Sequence, residues 1–280
     1  MNQWYESVSQ RRGPSMDIIF LTEEEAIQLQ SFFLKHDVDE QFAKIQDTFV
    51  FSLPEKECYM DILAHFIIHV KRGEFLHKIL YEKFYYENAE EREQIIEIVS
   101  EMCSGKREEL IALTGKINEL ELVRNAVGDF LESSDSVMLD SLLTFRLKEY
   151  QETLIRFLHV AIDEYKMEQE YQMFINMLRE YLKDRTPRMR TVHLSIDEDI
   201  NFYDENFRAM KKEQILKMVD RRLLAIHPVY IDSAVIAPLL SMAPEKIILY
   251  TPYDEKPLVR TLINIFEERM IILPPFKESK

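Results

Sequence analysis

The sequence predicts a mostly helical α+β protein with a small N-terminal β-α-β unit, a helical middle region and a C-terminal α+β part. Three observations carry that reading. Short strand-like runs stand near both ends of the chain, nearly unbroken helical periodicity fills the middle, and only 5 of 280 residues are glycine. Gly13, Gly73, Gly105, Gly115 and Gly128 lie too far apart to build G-x-G-x-x-G or G-x-x-x-x-G-K-[ST], so the familiar phosphate-cradling loops are absent.

Residues 1–15 are polar, with Arg11-Arg12-Gly13-Pro14 and no apolar signal-peptide core. They read as a flexible tail, or as upstream sequence if translation starts at Met16. Residues 16–54 read as the β-α-β unit. Asp17 to Leu21 is a short buried strand. Thr22 then caps a helix whose first turn carries Glu23, Glu24 and Glu25, and this helix buries Ala26, Leu29, Phe32 and Phe33. Asp47 to Ser52 alternates as a second strand, and Pro54 opens the next helix.

Residues 55–185 read as an acidic helical region. One helix carries Tyr59, Ile62, Leu63, Phe66 and Val70 and continues past Gly73 through Leu76, Ile79 and Leu80. Asn88 caps a helix burying Ile95, Ile98 and Val99, which Ser104-Gly105 stops. After the break at Ser133-Ser134-Asp135, apolar residues recur from Leu147 to Tyr181 at mostly three- and four-residue steps. A single helix of that length would span roughly 55–60 Å. The stripe thins at Lys166 to Glu170, which predicts a bend or break there.

Residues 186–280 turn to α+β. Val192, Leu194 and Ile196 form a half-buried strand, and Ile200–Tyr203 and Phe207–Met210 continue as a meander. Lys211 to Ile226 reads as an amphipathic helix, and Asp232 or Ser233 as the cap of another. Lys246–Tyr250, a helix from Pro257 and Arg269–Leu273 have the order of a parallel β-α-β crossover. With no glycine beyond Gly128, corners here fall to Pro, Asn and Asp. Both ends of the chain are expected to join one sheet, with the helices as a large insertion.

Fifty acidic against 35 basic residues give a net charge of −15, which argues against a general affinity for nucleic acid or anionic membrane. Residues 186–280 hold 14 of each sign, so the remaining 36 acids and 21 bases place the whole excess in residues 1–185. No run reaches the ~18 apolar residues that span a bilayer. Cys58 and Cys103 stand apart without C-x-x-C spacing, as free thiols of a reducing compartment do. A cytoplasmic location, no transmembrane segment and no cofactor are expected.

Several constellations are candidates for chemistry or contact. His65 and His69, at i and i+4, share a helix face and could hold Zn²⁺ or Fe²⁺ if Asp61, Glu74 or His77 completed the set. The plainer reading is polar histidines bordering a core. Asp197-Glu198-Asp199-Ile200-Asn201 opens like a calcium loop, but Phe202 stands where Gly is needed and Arg208 where the bidentate Glu belongs, so it reads as a hairpin turn. Thr251, Tyr253 and Asp254 follow a strand and precede a helix, where ligands of α/β sheets gather; a capped loop is the alternative. Lys211, Lys212, Lys217, Arg221 and Arg222 form a local basic cluster. Tyr81, Phe84, Tyr85 and Tyr86 are more rings than one helix face can bury, so they either meet another segment or anchor a partner.

Phe145-Arg146-Leu147-Lys148-Glu149-Tyr150 and Asp163-Glu164-Tyr165-Lys166-Met167-Glu168-Gln169-Glu170-Tyr171 are two distinctive blocks. With Val192-His193-Leu194, the run from Ala243 to Tyr250, and the run from Asn264 to Met270, they resemble the YtxC-like family of sporulation proteins over roughly residues 16–273. The chain departs from that pattern in having Glu267 where a Gly often follows the Ile-Phe pair. It also ends without the terminal cysteine cluster of some members. The resemblance implies a sporulation role in an endospore-forming bacterium and brings no catalytic residues with it. Within these blocks Arg146, Glu149, Tyr150, Asp163 and Glu164 are read as structural, with Arg146 pairing a carboxylate of a neighbouring helix. The expected function is therefore non-catalytic, through contact with an unidentified protein partner. The alternative is a metal- or small-ligand-binding protein or enzyme using His65 and His69 or the loop after Tyr250.

Overall fold

A computed structural model describes residues 16–54, 56–133, 135–220 and 234–275. The tail 1–15, the side chain of Cys58, Ser134, Arg221, Arg222 and the helix positions beyond them, and the caps Asp232 and Ser233 lie outside the described residues. Contacts divide the chain into two compact units, one up to Lys166 and one from Met167 onward.

In the first unit β1 (Met16–Phe20) is followed by α1 (Glu23–Lys35), β2 (Phe42–Ile45) and β3 (Thr48–Leu53). The Thr22 hydroxyl accepts the Glu25 N–H at 3.4 Å, the cap expected from sequence. The sheet order is β2-β3-β1-β4, where β4 is Ser136–Met138. β1 runs antiparallel to β3 and parallel to β4. The N-terminal unit is thus more than a simple β-α-β: β2 forms a hairpin with β3, and β4 comes from the helical middle. The expectation that both ends share one sheet is corrected by the same pairing. A three-residue strand such as β4 is too short to announce itself by alternation.

The helices of this unit are α2 (Lys56–Phe66), α3 (Arg72–Glu82), α4 (Ala89–Cys103), α5 (Glu108–Thr114) and α6 (Glu119–Ser133). Five-residue π-helical turns at Ile67–Lys71 and Leu142–Arg146 interrupt the α-helical winding. Asn88 caps α4 through its side chain, which accepts the Glu90 N–H at 2.8 Å.

The helix α7 runs unbroken from Lys148 to Lys183, so the expected bend near Lys166 is corrected. The stripe does thin, and residues 166–170 are all exposed. They nevertheless comprise Lys, Met, Glu and Gln, strong helix formers that hold the winding without a core beneath them. Tyr150, Leu154, Phe157, Leu158 and Ala161 of α7 enter the first core; Phe174, Ile175, Leu178 and Leu182 enter the second.

The second unit carries the sheet β6-β5-β7-β8, with β5 at Thr191–Ile196, β6 at Ile200–Tyr203, β7 at Lys246–Tyr250 and β8 at Met270–Leu273. β5 and β6 form the expected antiparallel hairpin. β7 and β8 are parallel, joined by α10 (Pro257–Phe266), as the crossover pattern predicts. Phe207–Met210 is not a strand; a single bridge joins Tyr203 to Ala209. The basic helix α8 is only Lys212–Met218 and does not reach Ile226. Its successor Val219 is extended, and the Asp220 N–H donates to Ser241 Oγ at 2.9 Å, which draws the chain out of the helix. Ser241 lies on α9 (Ile236–Met242).

Corners of the second unit are not all built from Pro, Asn and Asp. Phe207, Ala243 and Glu267 adopt positive φ. Glu267 has φ 45° and ψ −121°, a conformation natural to glycine and strained for other residues. Its carboxylate pairs with Arg179 at 2.8 Å, so the side chain partly offsets the backbone strain. Replacing Glu267 by Gly and by Ala separates the two effects: both lose the ion pair, and only Gly relieves the strain. We expect Glu267→Gly to be more stable than Glu267→Ala by about 1–2 kcal/mol in urea unfolding. Equal stabilities would rule out strain at this residue.

A candidate ligand cleft beside a buried Arg72–Glu119–Tyr150 network

The site begins with the π-helical turns. In the first, the Arg72 N–H bonds to the Ile67 carbonyl; in the second, the Leu147 N–H bonds to Leu142. Each i→i+5 bond accommodates one residue more than an α-turn, which rotates all following side chains by about 100° relative to a continuous α-helix. Helix α6 packs against both turns. The first turn buries Lys71, whose Nζ donates to Gln28 Oε1 and Glu74 Oε2, each at 2.9 Å. That contact fastens α1 to α3.

Arg72 follows at once. Its guanidinium donates to both oxygens of Glu119, at 3.0 and 2.9 Å. The Tyr150 hydroxyl donates to Glu119 Oε1 at 2.5 Å. Arg72 and Glu119 side chains are only 17% and 12% exposed, so the pair is largely shielded from solvent screening. Burial, and then the Glu119 charge, push the Tyr150 hydroxyl well above its ordinary range. Burial disfavours the charge on Arg72, but Glu119 more than offsets this and raises its pKa. The Cys103 thiol lies against the same network and is pushed up to about 12, chiefly by burial and then by Glu119.

A cleft of about 610 Å³ opens beside this network, lined by His65, His69, Cys103, Lys116, Asn118 and Glu119. The imidazoles of His65 and His69 stack with centroids 5.7 Å apart and planes 7° from parallel. Burial first, and the charges of His65 and Arg72 next, lower the His69 pKa. The candidate third ligands are occupied elsewhere: Asp61 with Arg124, Glu74 with Lys71, and His77 with Glu93. Among the described residues no group of three or more His, Cys, Asp or Glu is gathered as a metal centre.

The other expected positions are distributed as follows. Tyr81 and Tyr85 are 57% and 81% exposed. Phe84 packs edge-on against His159, and Tyr86 against Tyr165. The four aromatic rings therefore divide, two inward and two outward. Lys211 and Lys212 are exposed at the start of α8. Of the structural motif, Tyr150 joins the network and Glu164 pairs with Arg107 at 3.1 Å. Arg146, Glu149 and Asp163 are exposed. Arg146 sits at the end of the second π-helical turn, which carries it away from the core rather than toward a neighbouring carboxylate.

In the second unit Thr251 is buried, and its hydroxyl accepts the Tyr253 N–H at 3.1 Å. The Tyr253 ring is covered by the Lys256 ammonium at 3.7 Å, and Asp254 is exposed. Sequence reasoning passed over His193, which lies within 3.2 Å of the Tyr250 hydroxyl and beneath the Phe207 ring. Burial lowers its pKa. It also passed over Lys71, Arg72 and Glu119. The apolar pattern runs on without a break from Ile62 through Leu76 to Leu80 and gave no local signal for them.

Chemically, the network is closed. Both Glu119 oxygens are engaged, so it is not free to act as a general base, and a thiol with a pKa near 12 is no nucleophile at neutral pH. What remains is a donor-rich cleft above a satisfied polar core.

Fold and site together define a two-unit α+β protein in which each unit carries a four-stranded mixed sheet and the first adds a helical body with a polar centre. A profile of the YtxC-like family matches residues 57–271, and the chain belongs to that family. It is 33% identical to "Uncharacterized protein YtxC" of Bacillus subtilis (strain 168) over 223 residues, covering 80% of this chain and 79% of that protein. No solved structure matches it.

Two measurements check the network. Glu119→Ala leaves the Arg72 guanidinium buried and unpaired, and we expect a loss of about 3–5 kcal/mol in denaturant unfolding. Tyr150→Phe, which removes one hydrogen bond to the charged carboxylate, should cost about 1.5–3 kcal/mol. In a Cys58→Ser background, Cys103 should react with a disulfide reagent at pH about 8 some ~10³-fold more slowly than free cysteine. Reaction at the free-cysteine rate would mean a thiolate at this position.

Proposed function

We propose that this chain is a cytoplasmic, sporulation-associated protein that acts without catalysis, by contact with another protein. The observation that carries the reading is the outward pair Tyr81 and Tyr85. Tyr85, 81% exposed, is held at φ 59°, a conformation that is unfavourable for a bulky residue and that aims a large ring at solvent. Exposed tyrosines of this kind are the usual anchors of protein interfaces. The resemblance to sporulation proteins supports the setting, and the closed Arg72–Glu119–Tyr150 network supports the absence of catalysis. The acid excess of residues 1–185 favours a partner with a basic surface. Among the described residues no helix is long and apolar enough to cross a membrane.

Affinity purification from sporulating cells tests this. The unaltered chain should recover a repeatable partner, and the Tyr81→Ala, Tyr85→Ala double variant should lose at least about ten-fold of it, as truncation of interface anchors does. Recovery of no partner, together with unimpaired spores after deletion of the gene, would sink the reading.

A further inference from the structure

The cleft beside His65 and His69 has a consistent chemical character. Each of its groups that could carry negative charge is disarmed. Glu119 is paired with Arg72 and takes a hydrogen bond from Tyr150. Cys103 keeps its proton at neutral pH. The groups left to meet a ligand are two imidazoles and the Lys116 ammonium. The nearly parallel rings of His65 and His69 come from one helical face, and Lys116 comes from the segment before α6. The charged groups acting on His69 are His65 on its own face, Arg72, Glu119, and His36 after α1. Only Glu119 among them is acidic, and its charge is already paired. Asn118 caps α6, its side-chain oxygen accepting the Glu121 N–H at 3.4 Å, so recognition rests on the side chains rather than on the helix end. Ile68, Ile117 and Leu120 supply apolar wall.

A cation would meet no free anionic ligand there. An oxyanion would meet up to three donors. About 610 Å³ is more than a bare phosphate fills and falls in the range of small-molecule sites. We propose that this cleft binds a small phosphate-bearing metabolite, its oxyanion held by the ring N–H groups of His65 and His69 and by the ammonium of Lys116. The inference is independent of the protein-contact reading, because its residues are not those of the Tyr81–Tyr85 surface.

Binding is linked to protonation with a definite sign. An anion favours the imidazolium forms, so it raises the lowered pKa of His69 and binds more tightly as pH falls through the ordinary histidine range. The test uses the full chain, with histidine ring resonances followed by NMR at constant ionic strength. Pyrophosphate and inorganic phosphate serve as probes. Sulfate, whose charge is constant over this range, is the probe for pH dependence. The His65 and His69 resonances should move saturably, and sulfate should bind about ten-fold more tightly near pH ~5.5 than near pH ~8. Lys116→Gln and His69→Gln should each weaken pyrophosphate binding by about ten-fold. Lys78→Gln, at an exposed position on α3 outside the cleft, should leave it unchanged. Shifts that remain linear to about 50 mM, beyond the range of millimolar sites, would overturn the proposal. So would sulfate affinity independent of pH, or undiminished binding by Lys116→Gln.

Discussion

The first unit depends on one largely shielded carboxylate. Glu119, at the start of α6, takes two hydrogen bonds from Arg72 and one from Tyr150. Those partners follow the two π-helical turns, Arg72 at once and Tyr150 four residues on. The turns are what bring them to the same carboxylate. An uninterrupted α-helix through residues 67–71 would send Arg72 off by about 100°. A π-helical turn has poorer backbone geometry than an α-turn, so two of them flanking one helix require tertiary interactions that favour them. The buried triad supplies such an interaction, and Lys71 supplies another by tying the first turn to α1. The polar core is a register device: it determines which faces of α2, α3 and α7 meet α6, while the surrounding apolar side chains supply most of the burial.

Much of the fold was legible because its signals are local. Thr22 and Asn88 cap as their side chains dictate, and Pro257 opens α10 in the first helical turn. The hairpin after Val192 and the β7-α10-β8 crossover follow from alternation and spacing. Missed features are those that local patterns cannot encode. β4 pairs with a strand over 110 residues earlier in the chain, and its three residues show no period. Thinning of the stripe at residues 166–170 was a true signal given the wrong cause. It marks where the core of one unit gives way to the core of the other along α7, and helix propensity carries the chain through.

The site was legible only in fragments. His65 and His69 were found because i,i+4 spacing is a property of one helix, and Tyr150 because its block is distinctive. Arg72 and Glu119 were not found, because 47 residues separate them and only the π-helical turn makes them meet. Scarcity of glycine had a consequence that composition alone misplaces. The second unit does not avoid positive φ; it imposes it on Phe207, Ala243 and Glu267. Two of these make specific side-chain contacts: Phe207 covers His193, and Glu267 pairs with Arg179. A side chain that a glycine would lack is being used at each.

The same triad that orders the helices also determines the chemistry of the cleft. A carboxylate free at Glu119 would make the opening beside His65 and His69 a metal or acid–base site. Held by Arg72 and Tyr150, that carboxylate is unavailable, and its residual field together with burial keeps the Cys103 proton in place. Structural use of Glu119 therefore withdraws one carboxylate and one thiol from the cleft's chemistry and leaves the imidazoles and Lys116 facing it. Once the imidazoles are protonated, all three are donors suited to holding an anion. The binding role proposed for this chain rests on the geometry of that one ion pair, whether the partner is a protein, a metabolite or both.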